Sequence, residues 1–456
     1  MITTRLTEGP KHHLFGFHDL AITSRASGRF LGLAVERIDR PPLGEDLAEV
    51  IVWDDAGPDG HFAPPRVLAT TRNYNFPQGA RQQWLGGDDT VIVNEVDAAG
   101  APVSGLYDAG GGGRIGQLSA SVYCIDRAGA RAYSVDFGRL HRLGGYGHSN
   151  VADRAPETAQ PHDNGIFVSD IAADRTDLLL SIAEMAGLAG LDPEGLAHVF
   201  FTHLVLDPTG TRLAFLLRYR LADGGEETCL CTVATDGTGA RVIARGFLSH
   251  FDWIAPDRIM IWGRRSGAVA AARRHPLLAN PVARALLPLV KGPLRALMGK
   301  SGAMAMSYLS VTDSDQPEVT PFAVGVLTAD GHPMANPVYR DWLLTDTYPD
   351  AEGVRDLMLY EIASAQRHDL GRFRKLDTLP SAETVAETAA HLARAVDVAF
   401  PADLYAFTRS GLHCDLHPRW SADGRLAVFD SIHEGSRQIY AIDVGEMVAG
   451  PAVPGT

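Results

Sequence analysis

The chain has 456 residues, 45% of them hydrophobic and 21% charged, an ordinary globular composition, with a formal net charge of −14. That acidic balance excludes a nucleic-acid partner, because affinity for a polyanion comes from basic residues that release counterions. No stretch reaches the roughly 18 apolar residues of a membrane span, and the N-terminus lacks an apolar core of signal-peptide length, so a cytoplasmic location is expected.

Cys124, Cys229, Cys231 and Cys414 form neither a disulfide framework nor a zinc-type Cys-x-x-Cys pair. Along the chain one phrase recurs: a polar or histidine start, an apolar strand, a turn containing Asp or Gly, then further β-rich strands. The early copies run from His18-Asp19 to Val50–Trp53, from Gln83-Trp84 to Gly105–Tyr107, and from Val122-Tyr123 to Gly165–Ser169. The later copies start at His203, His250, His332 and His417, with Asp-Pro-Thr-Gly (207–210) and Ala-Asp-Gly (422–424) marking hairpin corners. About seven units of four short strands predict an all-β fold, a seven-bladed β-propeller occupying residues 1–456 as a single domain.

Two segments interrupt that rhythm and read as helical insertions. Residues 268–306 carry Arg273, Arg274, Arg284, Lys291, Arg295 and Lys300 with no acid, which suggests a basic amphipathic helix inside the fifth blade. A lid, a dimer contact, peripheral contact with anionic lipid, or simple cover for a sheet edge all suit it. Residues 380–399 read as one helix capped by Ser381, a decoration before the last blade.

The chemistry is in the histidines. His203, His250, His332 and His417 occupy equivalent places in four consecutive repeats, where the first strand of a propeller blade lines the central channel. Imidazoles in register are costly to bury for packing alone, so metal ligation or proton transfer is expected of them. His413, Asp415 and His417 alternate along what reads as a strand, so one face offers a metal two imidazoles and a carboxylate. That donor set suits Mn²⁺, Zn²⁺ or Ca²⁺. Arg218 and Arg220 share a face after His203 and suit a carboxylate ligand. The stretch 139–148, with His141, Arg142, Tyr146 and His148, has glycines that imply close backbone approach or a mobile loop, and His162 precedes the next strand.

At the histidine-headed repeats, and in the closing phrase His417-Pro-Arg-Trp-Ser-Ala-Asp-Gly424 followed by Gln438-Ile-Tyr440, the chain resembles the oligogalacturonate lyases, a family of β-propeller polysaccharide lyases. The resemblance covers the second half, from about His203 onward. It implies a divalent metal held by His332, Asp415 and His417, His250 as base, and Arg218 or Arg220 as stabiliser of charge on a uronate carboxylate. Asp415 stands where the family has histidine, and the family's glutamine ligand has no clear match. The ulvan lyases, which are similar propellers, bring His141, His162 and Tyr146 in as further catalytic candidates. The expected activity is metal-dependent β-elimination on an acidic oligo- or polysaccharide. A glycoside hydrolase on the same scaffold, or a non-catalytic propeller with a structural metal that binds a glycan or protein, is the alternative.

Overall fold

The computed structural model describes residues 1–54, 64–86, 89–111, 113–192, 196–221, 225–265, 306–397 and 401–450. Within these, the turns set the strands. Asp97, Asp126, Asp207 and Asp350 each head an Asp-x-x-Gly corner in which the glycine N–H donates to the aspartate carbonyl at 2.9–3.0 Å. The carboxylate then accepts backbone N–H groups just beyond, as Asp207 does from Thr209 (2.9 Å), Thr211 and Arg212 (both 2.7 Å). The fourth position needs a left-handed backbone, φ +74° at Gly210 and +76° at Gly353, which glycine adopts without a Cβ penalty. Alternating apolar strands on either side of such corners pair antiparallel.

The chain divides into two units. The first comprises Met1–Arg154, Phe167–Asp177 and Ala329–Thr456, the second Ala155–Ile166 and Leu178–Thr328. In the first unit, one four-stranded antiparallel sheet holds His12–Leu14, Phe30–Val35, Ala48–Trp53 and Arg66–Thr71, and the next holds Gln83–Leu85, Thr90–Val96, Pro102–Asp108 and Arg114–Leu118. A third begins with Cys124–Ile125 and Arg131–Val135 and continues with Gly165–Asp170 and Arg175–Ser181, strands through which the chain passes between units. Another is Met334–Ala335, Trp342–Asp346, Val354–Glu361 and Gln366–Arg374. The last, Arg419–Trp420, Leu426–Ser431 and Gln438–Asp443, takes its fourth strand from the opposite end of the chain, Thr3–Arg5.

The second unit is one seven-stranded sheet from Ala197–Leu206 to Val319–Pro321. Its 15-residue strand Arg241–Ala255 closes one four-stranded set and opens the next. Seven four-stranded sets thus stand among the described residues, and the fold is an all-β propeller with helical insertions. Each unit has its own apolar packing, centred on Leu33, Val50, Ile51 and Trp53 in the first and on Leu216, Leu230, Trp253 and Ile261 in the second.

Several expectations change. The first part of 139–148 is helical: Phe137–Gly144 forms α1, started by the Asp136 carboxylate accepting the Arg139 N–H at 3.0 Å and ended by Gly145 at φ +75°, after which 145–148 is irregular and Gly147 lies close against the Phe137 carbonyl. The glycines belong to its C-terminal cap. Residues 413–417 are not a strand either. Cys414 and His417 both sit at φ +41° and Pro418 has no N–H to donate, so alternation fails until Arg419. The first sheet opens at His12–Leu14, ahead of His18. Ser381 caps a helix as expected, accepting the Thr384 N–H at 3.1 Å, and that helix is α3 (Ala382–Ala395); α4 (Ala402–Thr408) follows it and a short α2 (Ile182–Leu188) precedes both in the chain. Residues 268–305 of the basic insertion lie outside the described residues. No helix among the described residues is long and apolar enough to cross a membrane.

Candidate functional site

In the first unit, His332, Asp415 and His417 place one donor atom each within 4.8 Å of one another. All three are buried, at 1%, 8% and 4% exposure. The His332 and His417 rings are 4.3 Å apart and nearly perpendicular, at 89°. Three elements converge here: the residues before Met334–Ala335, the irregular segment 413–417, and the end of strand Trp342–Asp346.

Each donor is held from behind. The Asp346 carboxylate accepts the His332 backbone N–H at 2.7 Å and its Nδ1–H at 2.9 Å. A carboxylate accepts only, so this contact fixes a proton on Nδ1, as the partners of metal-bound histidines do. Asp415 is gripped by His413 Nε2 at 3.0 Å and Arg355 at 3.5 Å, while Arg355 also donates to the His413 carbonyl at 2.5 Å. His417 is fixed through its backbone: Arg419 donates to its carbonyl at 2.6 Å, and its buried Nδ1 has no hydrogen-bond partner among the described residues. Arg419 in turn shares Asp430 with Arg437, at 3.0 and 2.9 Å, all three side chains buried.

The electrostatics prepare His417 and Asp415 as ligands. Burial, then the neighbouring His332, holds His417 well below the ordinary histidine range and therefore neutral. Burial alone would raise Asp415, but His413 and Arg355 bring it well below the usual carboxylate range, so it is ionised. Burial pushes His332 down, but Asp346, joined by Asp415 and Asp330, raises it above the ordinary histidine value, so a cation bound there would have to compete with a proton. Two buried imidazoles and an ionised carboxylate, with donor atoms this close, fit a divalent cation.

Two residues around this trio were not singled out as strong candidates from sequence. His18, 2% exposed, has its ring 5.5 Å from His332 and 6.4 Å from His417, and the Phe17 ring lies 4.3 Å from His18 and 5.3 Å from His417. Tyr348 lies with its ring 5.3 Å from His332 and 6.3 Å from His413, yet keeps 36% exposure. Desolvation and then the carboxylates of Asp415, Asp330 and Asp346 push its phenol well above the ordinary value, and Arg409 acts in the opposite sense. The spacing of Asp346 and Tyr348 from any histidine in the sequence gave no clue to either.

In the second unit, the His203 and His250 rings face each other edge to face at 6.4 Å. Both sit at register shifts of their strands, between Thr202 and Val205 and between Leu248 and Phe251, and His203 has φ +60°. Such bulges re-aim a side chain that regular alternation would not place. A hydroxyl precedes each: Thr202 Oγ1 is 3.0 Å from His203 Nδ1, and Ser249 Oγ is 3.2 Å from His250 Nδ1. These pairs were readable as Thr-His and Ser-His dipeptides. Arg218 and Arg220 alternate on strand Arg212–Arg220. Arg220 Nη1 is 3.3 Å from His198 Nε2, while Arg218 Nε is buried without a hydrogen-bond partner among the described residues.

The earlier-blade candidates separate. His141 on α1 sets its Nε2 3.1 Å from that of His391 on α3, and burial lowers its pKa to about 3. His148 is fully buried, stacked on Phe137 at 4.1 Å, and likewise lowered to about 3 by burial. Tyr146 lies beneath the Arg409 guanidinium, 5.2 Å from its ring centre. His162 is exposed. Of the four proposed metal ligands, the trio includes His332, Asp415 and His417, and His413 serves instead as the partner of Asp415.

No protein-family model matches the chain, and no curated protein matches it. Among solved structures, the oligogalacturonate lyase of Vibrio parahaemolyticus aligns with a TM-score of 0.54 at 10% identity, covering 98% of this chain and 94% of that one. An oligogalacturonate lyase in complex with manganese aligns at 0.41 and 10% identity over 98% and 94% of the two chains. The β-propeller domain of the trilobed protease from Pyrococcus furiosus aligns at 0.40 and 10%, over 81% and 83%. At such identities the likeness is one of fold.

Proposed function

We propose that this protein is a metal-dependent lyase that cleaves a uronate-containing glycan by β-elimination. The observation that carries the reading is the buried His332–Asp415–His417 trio with Asp346 fixing the His332 proton. The propeller likeness to an oligogalacturonate lyase is consistent with it, and an acidic oligosaccharide is the proposed substrate.

His332 Nε2, Asp415 and His417 would hold a divalent ion, Mn²⁺, Zn²⁺ or Ca²⁺, whose charge would polarise the uronate carboxylate. His332 is oriented for this by Asp346, and Asp415 stays ionised under His413 and Arg355. In the elimination the C5–H bond breaks, its electron pair forms the C4–C5 double bond, the C4–O4 bond breaks, and the leaving oxygen takes up a proton. The base is proposed as His250, which has Ser249 Oγ 3.2 Å from its Nδ1 and His203 beside it. Arg218 or Arg220 is the proposed stabiliser of the charge that develops on the carboxylate.

Replacing His250 with Ala tests the assignment. Turnover should fall by about 10²–10⁴-fold, the usual contribution of a general base, while metal content and the far-ultraviolet circular dichroism stay as in the parent. Retention of full turnover would remove His250 from the mechanism.

A further inference from the structure

His141 on α1 and His391 on α3 meet within the first unit, their Nε2 atoms 3.1 Å apart and their ring centres 5.4 Å apart. Contacts on either side of the pair fix that approach. The Asp397 N–H, just beyond α3, donates to the Arg142 carbonyl on α1 at 2.7 Å. Nearer the start of α3, Glu387 pairs with Arg40 at 3.1 Å and the Thr384 hydroxyl donates to Asp39 at 3.3 Å. His141 is 7% exposed and His391 half-buried, so the pair is covered yet reachable from solvent. Burial holds both rings below the ordinary histidine value, His141 at about 3, and both are therefore neutral near pH 7.

A neutral imidazole protonated on Nδ1 presents a lone pair at Nε2. Two nitrogens bound about 2.0–2.1 Å from one ion stand about 2.9 Å apart at a right angle and about 3.3 Å apart at the tetrahedral angle. The spacing of the His141 and His391 nitrogens falls between those limits. The neighbouring carboxylates are engaged elsewhere, Glu387 by Arg40 and Asp153 by Arg142 at 2.6 Å. Among the described residues only the trio gathers three His, Cys, Asp or Glu donors. The protein therefore offers imidazole alone at this place, which suits Zn²⁺, Ni²⁺ or Cu²⁺ better than the harder Mn²⁺ or Ca²⁺. We propose that His141 and His391 form a second metal site, which takes a divalent ion of the Zn²⁺ class with water in its remaining positions. The bound ion ties the helical insertion at α3 to α1, joining residues 250 positions apart. The site shares no residue with the trio and stands whether or not the trio serves a lyase.

The test is titration of Zn²⁺ into the full chain carrying His417→Ala, which disables the trio and leaves the pair intact. Calorimetry should read one equivalent of Zn²⁺, and Zn²⁺ should raise the urea midpoint, because an ion held only by the folded chain stabilises it. In that background His391→Gln keeps a hydrogen-bonding partner for His141 but removes a ligand, so the equivalent and the midpoint shift should both be lost. His141→Gln should do the same, with the far-ultraviolet circular dichroism unchanged in each. Mn²⁺ in place of Zn²⁺ should bind at least about tenfold more weakly. In the chain with His417 retained, His391→Gln should lower the Zn²⁺ stoichiometry by one, an arm that does not depend on how the trio tolerates replacement. A Zn²⁺ equivalent that survives either Gln variant, or Mn²⁺ bound as tightly as Zn²⁺, overturns the site. So does a folded His417→Ala chain that takes up no Zn²⁺, which would leave the pair as a hydrogen bond between two rings.

Discussion

Asp346 does more for the proposed centre than its absence from any sequence motif suggests. It takes both the backbone N–H and the ring Nδ1–H of His332, so a single carboxylate sets the height and the tautomer of one ligand. Asp346→Asn keeps the size but loses the charge that secures the tautomer. Mn²⁺ affinity, read by calorimetry, should fall about 10–100-fold, as for other partners of metal-bound histidines. An unchanged affinity would place His332 outside the ligand set. His148 presents the opposite case, a histidine with no partner for either ring nitrogen among the described residues. Its native pKa of about 3 lies below the 6.5 of an unperturbed histidine. Between those values the unfolded chain binds the extra proton, so stability falls as pH drops through 6.5 toward 3. For one such residue the loss between pH 7 and pH 5 is at most about 2 kcal/mol. His148→Phe, which keeps the stack on Phe137, should shrink the difference between urea midpoints at those two pH values. Parallel midpoints for variant and parent would contradict the burial argument.

At the level of elements, the strands near the trio are braced by charge rather than by apolar packing alone. Arg419 leaves strand Arg419–Trp420, Asp430 lies in Leu426–Ser431, and Arg437 immediately precedes Gln438–Asp443, so one carboxylate ties three consecutive segments. Asp430→Asn leaves two guanidiniums buried with no counter-charge. A loss of about 3–5 kcal/mol in chemical denaturation is expected, and a loss below about 1 kcal/mol would show the triad to be dispensable. The strands themselves were legible in the sequence because hairpins are local: an Asp-x-x-Gly corner between two alternating runs contains its own instructions. The bulges at His203 and His250 were not, since a register shift is set by the partner strand. The left-handed backbone of Cys414 and His417 was hidden for a similar reason, as a tertiary contact from Arg355 helps to hold that segment against the alternation its sequence suggests.

Over the whole chain, position within the repeat was the signal that led to His332 and His417, because a repeated place in a repeated unit is visible without knowing the fold. What the repeat could not show is what lies far away in sequence. Thr3–Arg5 completes the sheet of Gln438–Asp443, and His391 from the second helical insertion meets His141, 250 positions earlier. Asp346 and Tyr348 belong to the same group, supplied by a neighbouring strand and its following turn. The net charge of −14 makes the local cation decisive, for an acidic glycan gains nothing from the protein as a whole. The most direct measurement is therefore ultraviolet absorbance during incubation with a panel of uronate oligo- and polysaccharides, with and without chelator. The account predicts rising absorbance from a C4–C5 double bond on at least one substrate, abolished by chelator and restored by added divalent metal. A flat trace on every uronate from protein that demonstrably holds its metal would contradict the lyase assignment and leave the trio as a structural metal site.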